Sequence, residues 1–151
     1  MLLLFFSFMT MQNHFILVAE DDSDDRLLLQ AAFEEKGYDD KLEFVQDGVE
    51  LINFLNIIGD DNSGISYPNF ILLDLNMPKK DGREALKEIK QHPVFKKIPI
   101  VVFTTTKNES EIRCCYELGA NTYVVKPVSH EGLTRVIQDI RSYWLNAAAV
   151  P

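Results

Sequence analysis

Cysteine is scarce in this chain. There are two, Cys114 and Cys115, and they are adjacent. A disulfide framework needs separated pairs, so this usage excludes an extracellular disulfide scaffold and fits a reducing cytoplasm. Neighbouring positions on a helix point in different directions, so one thiol is expected to pack inward and the other outward. Basic residues are also short: 15 Lys and Arg against 23 Asp and Glu leave a net charge of −8. That balance excludes a broad nucleic-acid footprint, because phosphate backbones attract basic faces. Long apolar runs are missing too. The most apolar stretch, MLLLFFSFM at residues 1–9, is less than half of the about 20 residues that cross a bilayer. It also lacks the basic front and small-residue cleavage site of a secretory signal. Residues 1–13 are therefore read as an extension outside the fold, and no membrane association is expected. No internal repeat or low-complexity segment is present.

What remains is ordinary material for one globular domain: 151 residues, 46% hydrophobic and 25% charged, a length near the usual domain size. From Phe15 onward, short apolar runs alternate with helical patterns. The runs are Phe15 to Ala19, Leu42 to Val45, Phe70 to Leu73, Ile98 to Phe103 and Tyr123 to Val125. None shows polar alternation, as expected of strands buried on both faces of a parallel sheet. Between them lie helical stripes. The first is Leu27, Leu28, Ala31 and Ala32, stopped by Gly37, and the second is Val49, Ile52, Phe54 and Leu55. Ala85, Leu86 and Ile89 make the third. Ile112, Cys115 and Leu118 make the fourth, stopped by Gly119. Leu133, Val136, Ile137 and Ile140 make the fifth, running towards Trp144. Glycine just past a helix is the usual stop. The alternation predicts a (βα)5 doubly wound α/β domain with a five-stranded parallel sheet. The domain is placed at residues 14–146, with a short tail at 147–151. GDDNSGISY at Gly59 to Tyr67 reads as a surface insertion before the third strand.

Ligands of an open parallel sheet sit beyond the carboxyl ends of its strands. The first strand is followed by Glu20 and Asp21, within the acidic run EDDSDD. The third is followed by Asp74, Leu75 and Asn76, the fourth by Thr104, and the fifth by Lys126 and Pro127. Taken singly these are commonplace. An acidic run is often a solvated helix start, and Asp22 or Ser23 is expected to cap the first helix. Jointly, at the same end of four strands, they define a narrow chemistry. Crowded carboxylates repel one another unless a cation sits among them. All-oxygen ligands without His or Cys suit a hard ion such as Mg²⁺. A carboxylate can attack phosphorus to give an aspartyl phosphate. A lysine and a metal ion would then neutralise the transferring group, with the Thr104 hydroxyl bonding one of its oxygens.

The segments ILVAEDD, ILLDLNMPKKDG, IPIVVFTTT and YVVKP resemble, in order, the motifs of response-regulator receiver domains. The resemblance runs from about Phe15 to Trp144 and implies the flavodoxin-like receiver fold. It implies that Asp74 is the phosphoacceptor, that Glu20 and Asp21 help Asp74 to hold Mg²⁺, and that Asn76 offers its backbone carbonyl. It also implies that Thr104 and Lys126 contact the phosphoryl group, that Thr104 and Tyr123 form the switch, and that the Lys126–Pro127 peptide is cis. Two features depart from the commoner pattern: Glu20 stands where many receivers have Asp, and Thr105 where a smaller residue is usual. The second is expected to narrow access to Asp74.

Within the family the chain looks like the single-domain regulators that work with phytochrome-type sensor histidine kinases. The expected role is a cytoplasmic phosphoacceptor switch without an output domain, signalling by contact with a downstream protein. Its only chemistry would be its own phosphorylation and dephosphorylation, so it is not read as an enzyme. The rival reading is a Mg²⁺-dependent phosphatase of the haloacid dehalogenase type. That family sets its nucleophile early in a DxD context and its acidic pair late; here the pair comes first and position 76 is Asn. A flavodoxin-like redox domain is disfavoured because EDDSDD would repel a cofactor phosphate. Finally, Tyr143, Trp144 and Leu145 widen the apolar stripe of the last helix, which favours a homodimer through the fourth- and fifth-helix face, the alternative being that Trp144 folds back onto the domain's own surface.

Overall fold

Each of the five apolar runs is a strand in the computed structural model, which describes residues 14–60 and 62–151. The strands are β1 (Phe15–Ala19), β2 (Lys41–Val45), β3 (Phe70–Leu73), β4 (Ile100–Thr104) and β5 (Thr122–Val125). The helices between and after them are α1 (Ser23–Glu35), α2 (Gly48–Ile58), α3 (Gly82–Gln91), α4 (Glu109–Glu117) and α5 (His130–Arg141). All pairings are parallel and the order is β2-β1-β3-β4-β5. The expected fold class is therefore the one observed. The extension assigned to residues 1–13 lies outside the described residues.

The strands lack polar alternation because each side feeds a different core. Leu17, Ala19, Ile71, Leu73, Ile100 and Val102 face the layer with α2, α3 and α4. Ile16, Val18, Phe70, Leu72, Val101 and Phe103 face the layer with α1 and α5. Side chains alternate along a strand, so a one-residue slip would exchange the two cores. The helix starts are fixed by side-chain caps: Asp22 for α1, Asp47 for α2, Asp81 for α3, Asn108 for α4 and Ser129 for α5. Gly37 (φ 71°) and Gly119 (φ 107°) supply the left-handed residues after α1 and α4. Cys115 is buried and Cys114 exposed, as adjacent positions on α4 require.

Several expectations need correction. The buried face of α1 is Leu29, Ala32 and Phe33, whereas Leu27 is 68% and Leu28 50% exposed. The Asp22 cap sets the helix phase, and Leu29 is the residue it turns inward. On α2 the buried stripe is Leu51, Leu55 and Ile58, and Val49 is exposed. β4 begins at Ile100 because Pro99 has no N–H for a ladder bond; Ile98 precedes the strand but is still buried. The fifth helix widens after Arg141 into a π-helical turn at Ser142–Ala147. There Trp144 and Leu145 pack on the α1/α5 core and Tyr143 stays exposed. Much of the wide stripe therefore covers the domain itself. No peptide bond among the described residues is cis, so Lys126–Pro127 is trans, the intrinsically favoured isomer of an X–Pro bond.

α3 starts where β3 ends, and Gly82 makes that closeness possible. Its N–H donates to the Leu75 carbonyl at 2.9 Å. A Cβ there would press on the Asp74 carbonyl oxygen and lie 2.7 Å from Leu75 Cα, both backbone atoms that cannot swing aside. Gly82→Ala should therefore lower the unfolding free energy by about 1–3 kcal/mol, read from the denaturant midpoint. An unchanged midpoint would mean that α3 does not approach the end of β3 this closely.

Candidate functional site

The sheet order reverses direction between β1 and β3, and the two strands end level with each other. Ala19 pairs with Leu73, and Asp74 N–H donates to the Ala19 carbonyl at 3.0 Å. Glu20 N–H donates to the Val45 carbonyl at 2.9 Å, and Lys126 N–H to the Thr104 carbonyl at 2.8 Å. The ladders thus run one residue past these strands, and the residues fixed in this way are Glu20, Asp74 and Lys126. Glu20, Asp21 and Asp74 offer carboxylate oxygens that lie within 4.8 Å of one another. Glu20 and Asp74 are buried, and Asp21 is exposed at the rim.

Lys126 enters this cluster from the next but one strand. Its Nζ bonds a Glu20 carboxylate oxygen and lies 3.4 Å from Asp74 Oδ2. Burial alone would lower its pKa, but the bond it donates to Glu20 and the charges of Asp74, Glu20 and Asp25 outweigh that and raise it. Opposing influences meet at Glu20 as well. Burial and the neighbouring Asp74 push its carboxyl up, Lys126 pulls it back, and the upward push wins at about 8. Charge crowding is the dominant fact of this site.

Thr104 is completely buried, and its Oγ1 has no hydrogen-bond partner among the described residues. Buried hydroxyls are almost always paired, so this one is set for an acceptor that the described residues do not provide. Asn76 sits exposed beside Asp74, its N–H 3.4 Å from Asp74 Oδ1. Tyr123 is half-buried; its hydroxyl donates to the Thr106 carbonyl at 2.8 Å and so ties β5 to the β4–α4 loop. Every residue expected at the site therefore lies at the same end of the sheet. The donor set fits a hard divalent cation, since three carboxylates with one partial counter-charge leave room for another positive charge.

Four residues of the site were not singled out from the sequence. Asp25 lies 3.2 Å from Lys126 Nζ. Arg26 donates from Nη1 to the backbone carbonyls of Glu20 and Asp21, both at 2.8 Å, which fixes the acidic loop. Asp47 is buried, caps α2 through the Glu50 N–H and lies 3.7 Å from Lys79 Nζ. In the sequence Gly82 stands only as the last residue of ILLDLNMPKKDG. Once Asp22 is taken as the cap, Asp25 falls in the first helical turn next to the site; that was the available signal.

Comparison with known proteins agrees with this geometry. Residues 16–138 match the response regulator receiver domain. The chain is 43% identical over 137 residues to response regulator Rcp1 of Synechocystis sp., covering 90% of this chain and 92% of that protein. Its structure resembles that of the phosphorylated cyanobacterial phytochrome response regulator RcpA, with TM-score 0.83, 38% identity and coverage of 93% and 99% of the two chains. It also resembles the Mn²⁺-bound form of Rcp1, with TM-score 0.79, 41% identity and coverage of 91% and 99%. No described helix is long and apolar enough to cross a membrane. By sequence match and shared architecture, this chain belongs to the response regulator receiver domain family, a family of phosphoacceptor switches in two-component signal transduction.

Proposed function

We propose that Asp74 is the phosphoacceptor, with Mg²⁺ held by Glu20, Asp21, Asp74 and the backbone carbonyl of Asn76. The observation that carries this reading is the unpartnered, fully buried Thr104 hydroxyl at the same sheet end as the crowded carboxylates and Lys126. A phosphoryl oxygen on Asp74 would give that hydroxyl its acceptor. In the transfer, a carboxylate oxygen of Asp74 bonds to phosphorus. The P–N bond to a phosphohistidine breaks, and its electron pair stays on the imidazole. Lys126 and Thr104 meet the negative charge on the phosphoryl oxygens. The bound cation supplies further charge neutralisation there.

The donor in this proposal is a histidine kinase of the phytochrome type, as the name of the similar phytochrome response regulator RcpA suggests. The functional unit spans residues 14–146 and works in the cytoplasm. Phosphorylation would draw Thr104 towards Asp74 and let Tyr123 give up its Thr106 bond to fill the space, shifting a two-state equilibrium. The altered α4–β5–α5 surface, with Tyr116 and Tyr143 exposed, would then meet a downstream protein or a second copy of the chain.

The assignment is tested by intact-mass measurement after incubation with Mg²⁺ and acetyl phosphate. Wild type should gain one phosphoryl mass and Asp74→Asn none, with the fold preserved. Labelling of Asp74→Asn at the wild-type level would falsify the assignment.

Glu20 adds a pH dependence. Its carboxyl titrates near 8, above its ordinary 4.5, so the metal-free fold keeps a proton there at neutral pH. A cation needs the ionised form and must displace that proton. Mg²⁺ affinity should therefore rise, by up to about tenfold per pH unit, until about pH 8, and level off above it. The sign for folding is opposite: a raised acid stabilises the metal-free fold at low pH, and that contribution is lost as pH rises from 4.5 through about 8. Calorimetric Mg²⁺ titrations across this range check the first point. A slope that persists in Glu20→Gln would assign the proton to another group.

A further inference from the structure

The Lys126 ammonium is shared among three carboxylates. It bonds Glu20 and lies 3.2 Å from Asp25 Oδ2 and 3.4 Å from Asp74 Oδ2. Asp25 differs from the other two. It comes from the first turn of α1 rather than a strand end, and it is outside the Glu20, Asp21 and Asp74 group that converges on one point. Its side chain is 44% exposed against 10% for Asp74. Yet it is firmly placed: its N–H donates to the Asp22 cap at 3.1 Å, and the adjacent Arg26 is bound to the backbone of the acidic loop. An ammonium has three N–H donors, and that of Lys126, little exposed, directs them to carboxylates. Glu20, Asp25, Asp74 and Lys126 line one cleft of about 70 Å³. Within it the longest Lys126 contact is the one to Asp74.

We propose that Asp25 is a positioning residue that restrains Lys126 on the α1 side of this cleft and thereby slows phosphorylation of Asp74. The inference rests on Asp74 being the phosphoacceptor. With acetyl phosphate as donor, an Asp74 oxygen forms a bond to phosphorus, the P–O bond to acetate breaks, and acetate leaves with the electron pair. Negative charge on the phosphoryl oxygens then calls for the Lys126 ammonium. Asp25 competes for that ammonium.

The test compares initial rates of acetyl phosphate labelling, with Mg²⁺, by intact mass. Asp25→Asn should label about two- to fivefold faster than wild type, the scale of a partly exposed charge pair, and Asp25→Glu should return towards the wild-type rate. In a Lys126→Ala background, adding Asp25→Asn should change nothing, because the ammonium it acts through is gone. Labelling by Asp25→Asn that is unchanged or slower would overturn the proposal, as would an acceleration that persists without Lys126. Labelling that survives Asp74→Asn would instead overturn the phosphoacceptor reading, and this inference with it.

Discussion

The structure turns on electrostatic crowding at one end of a parallel sheet. Glu20, Asp21 and Asp74 bring carboxylate oxygens within 4.8 Å of one another, in surroundings dry enough to push Glu20 up to about 8. Like charges at such separations disfavour the compact state. The fold holds them there through backbone, not through the side chains themselves. The ladder bonds of Asp74 to Ala19 and of Glu20 to Val45 are continuations of the sheet, and Arg26 clasps the carbonyls of the acidic loop. Lys126 offsets part of the repulsion. A divalent cation would offset more.

Everything else serves that arrangement. Two apolar cores, one on each sheet face, fix the strand register and so the level at which β1 and β3 end. Gly82 lets α3 begin directly against the Asp74 backbone, and Gly48 donates its N–H to the Lys80 carbonyl at 2.8 Å. Between them the loop after β3 is held from both ends, with Lys79 in the left-handed region (φ 64°) and paired with the buried Asp47. The rigid end of the sheet thus carries the charges. The half-buried Tyr123 is tied to the β4–α4 loop by one hydrogen bond.

The strands and the rim were legible because their signals are local. A strand buried on both faces is a short apolar run wherever it occurs, and the residue after it is at the rim by definition. The family resemblance then supplied roles for Asn76 and Tyr123 that spacing alone would not. Helix faces were less legible. Leu27 and Leu28 are as apolar as Leu29, and only the Asp22 cap decides which of them turns inward. Asp25 and Arg26 were hidden in an acidic run because their partners, Lys126 and two backbone carbonyls, are distant in sequence or carry no side-chain signal. The sequence left Trp144 open to an interface or to the domain's own surface; it packs on the α1/α5 core from a π-helical turn after Arg141.

If charge crowding governs the site, its removal must have opposite effects on the metal-free and metal-bound protein. Thermal melting of wild type and Asp21→Ala, with and without Mg²⁺, at a pH above the Glu20 titration near 8, measures both at once. A cation at a hundredfold its Kd stabilises the wild-type fold by about 2.7 kcal/mol. Asp21→Ala should melt higher than wild type without Mg²⁺, because repulsion is relieved, and should gain little on adding it. A variant that melts lower than wild type without the ion, and still gains the full wild-type increment with it, would contradict both the repulsion and the ligand set.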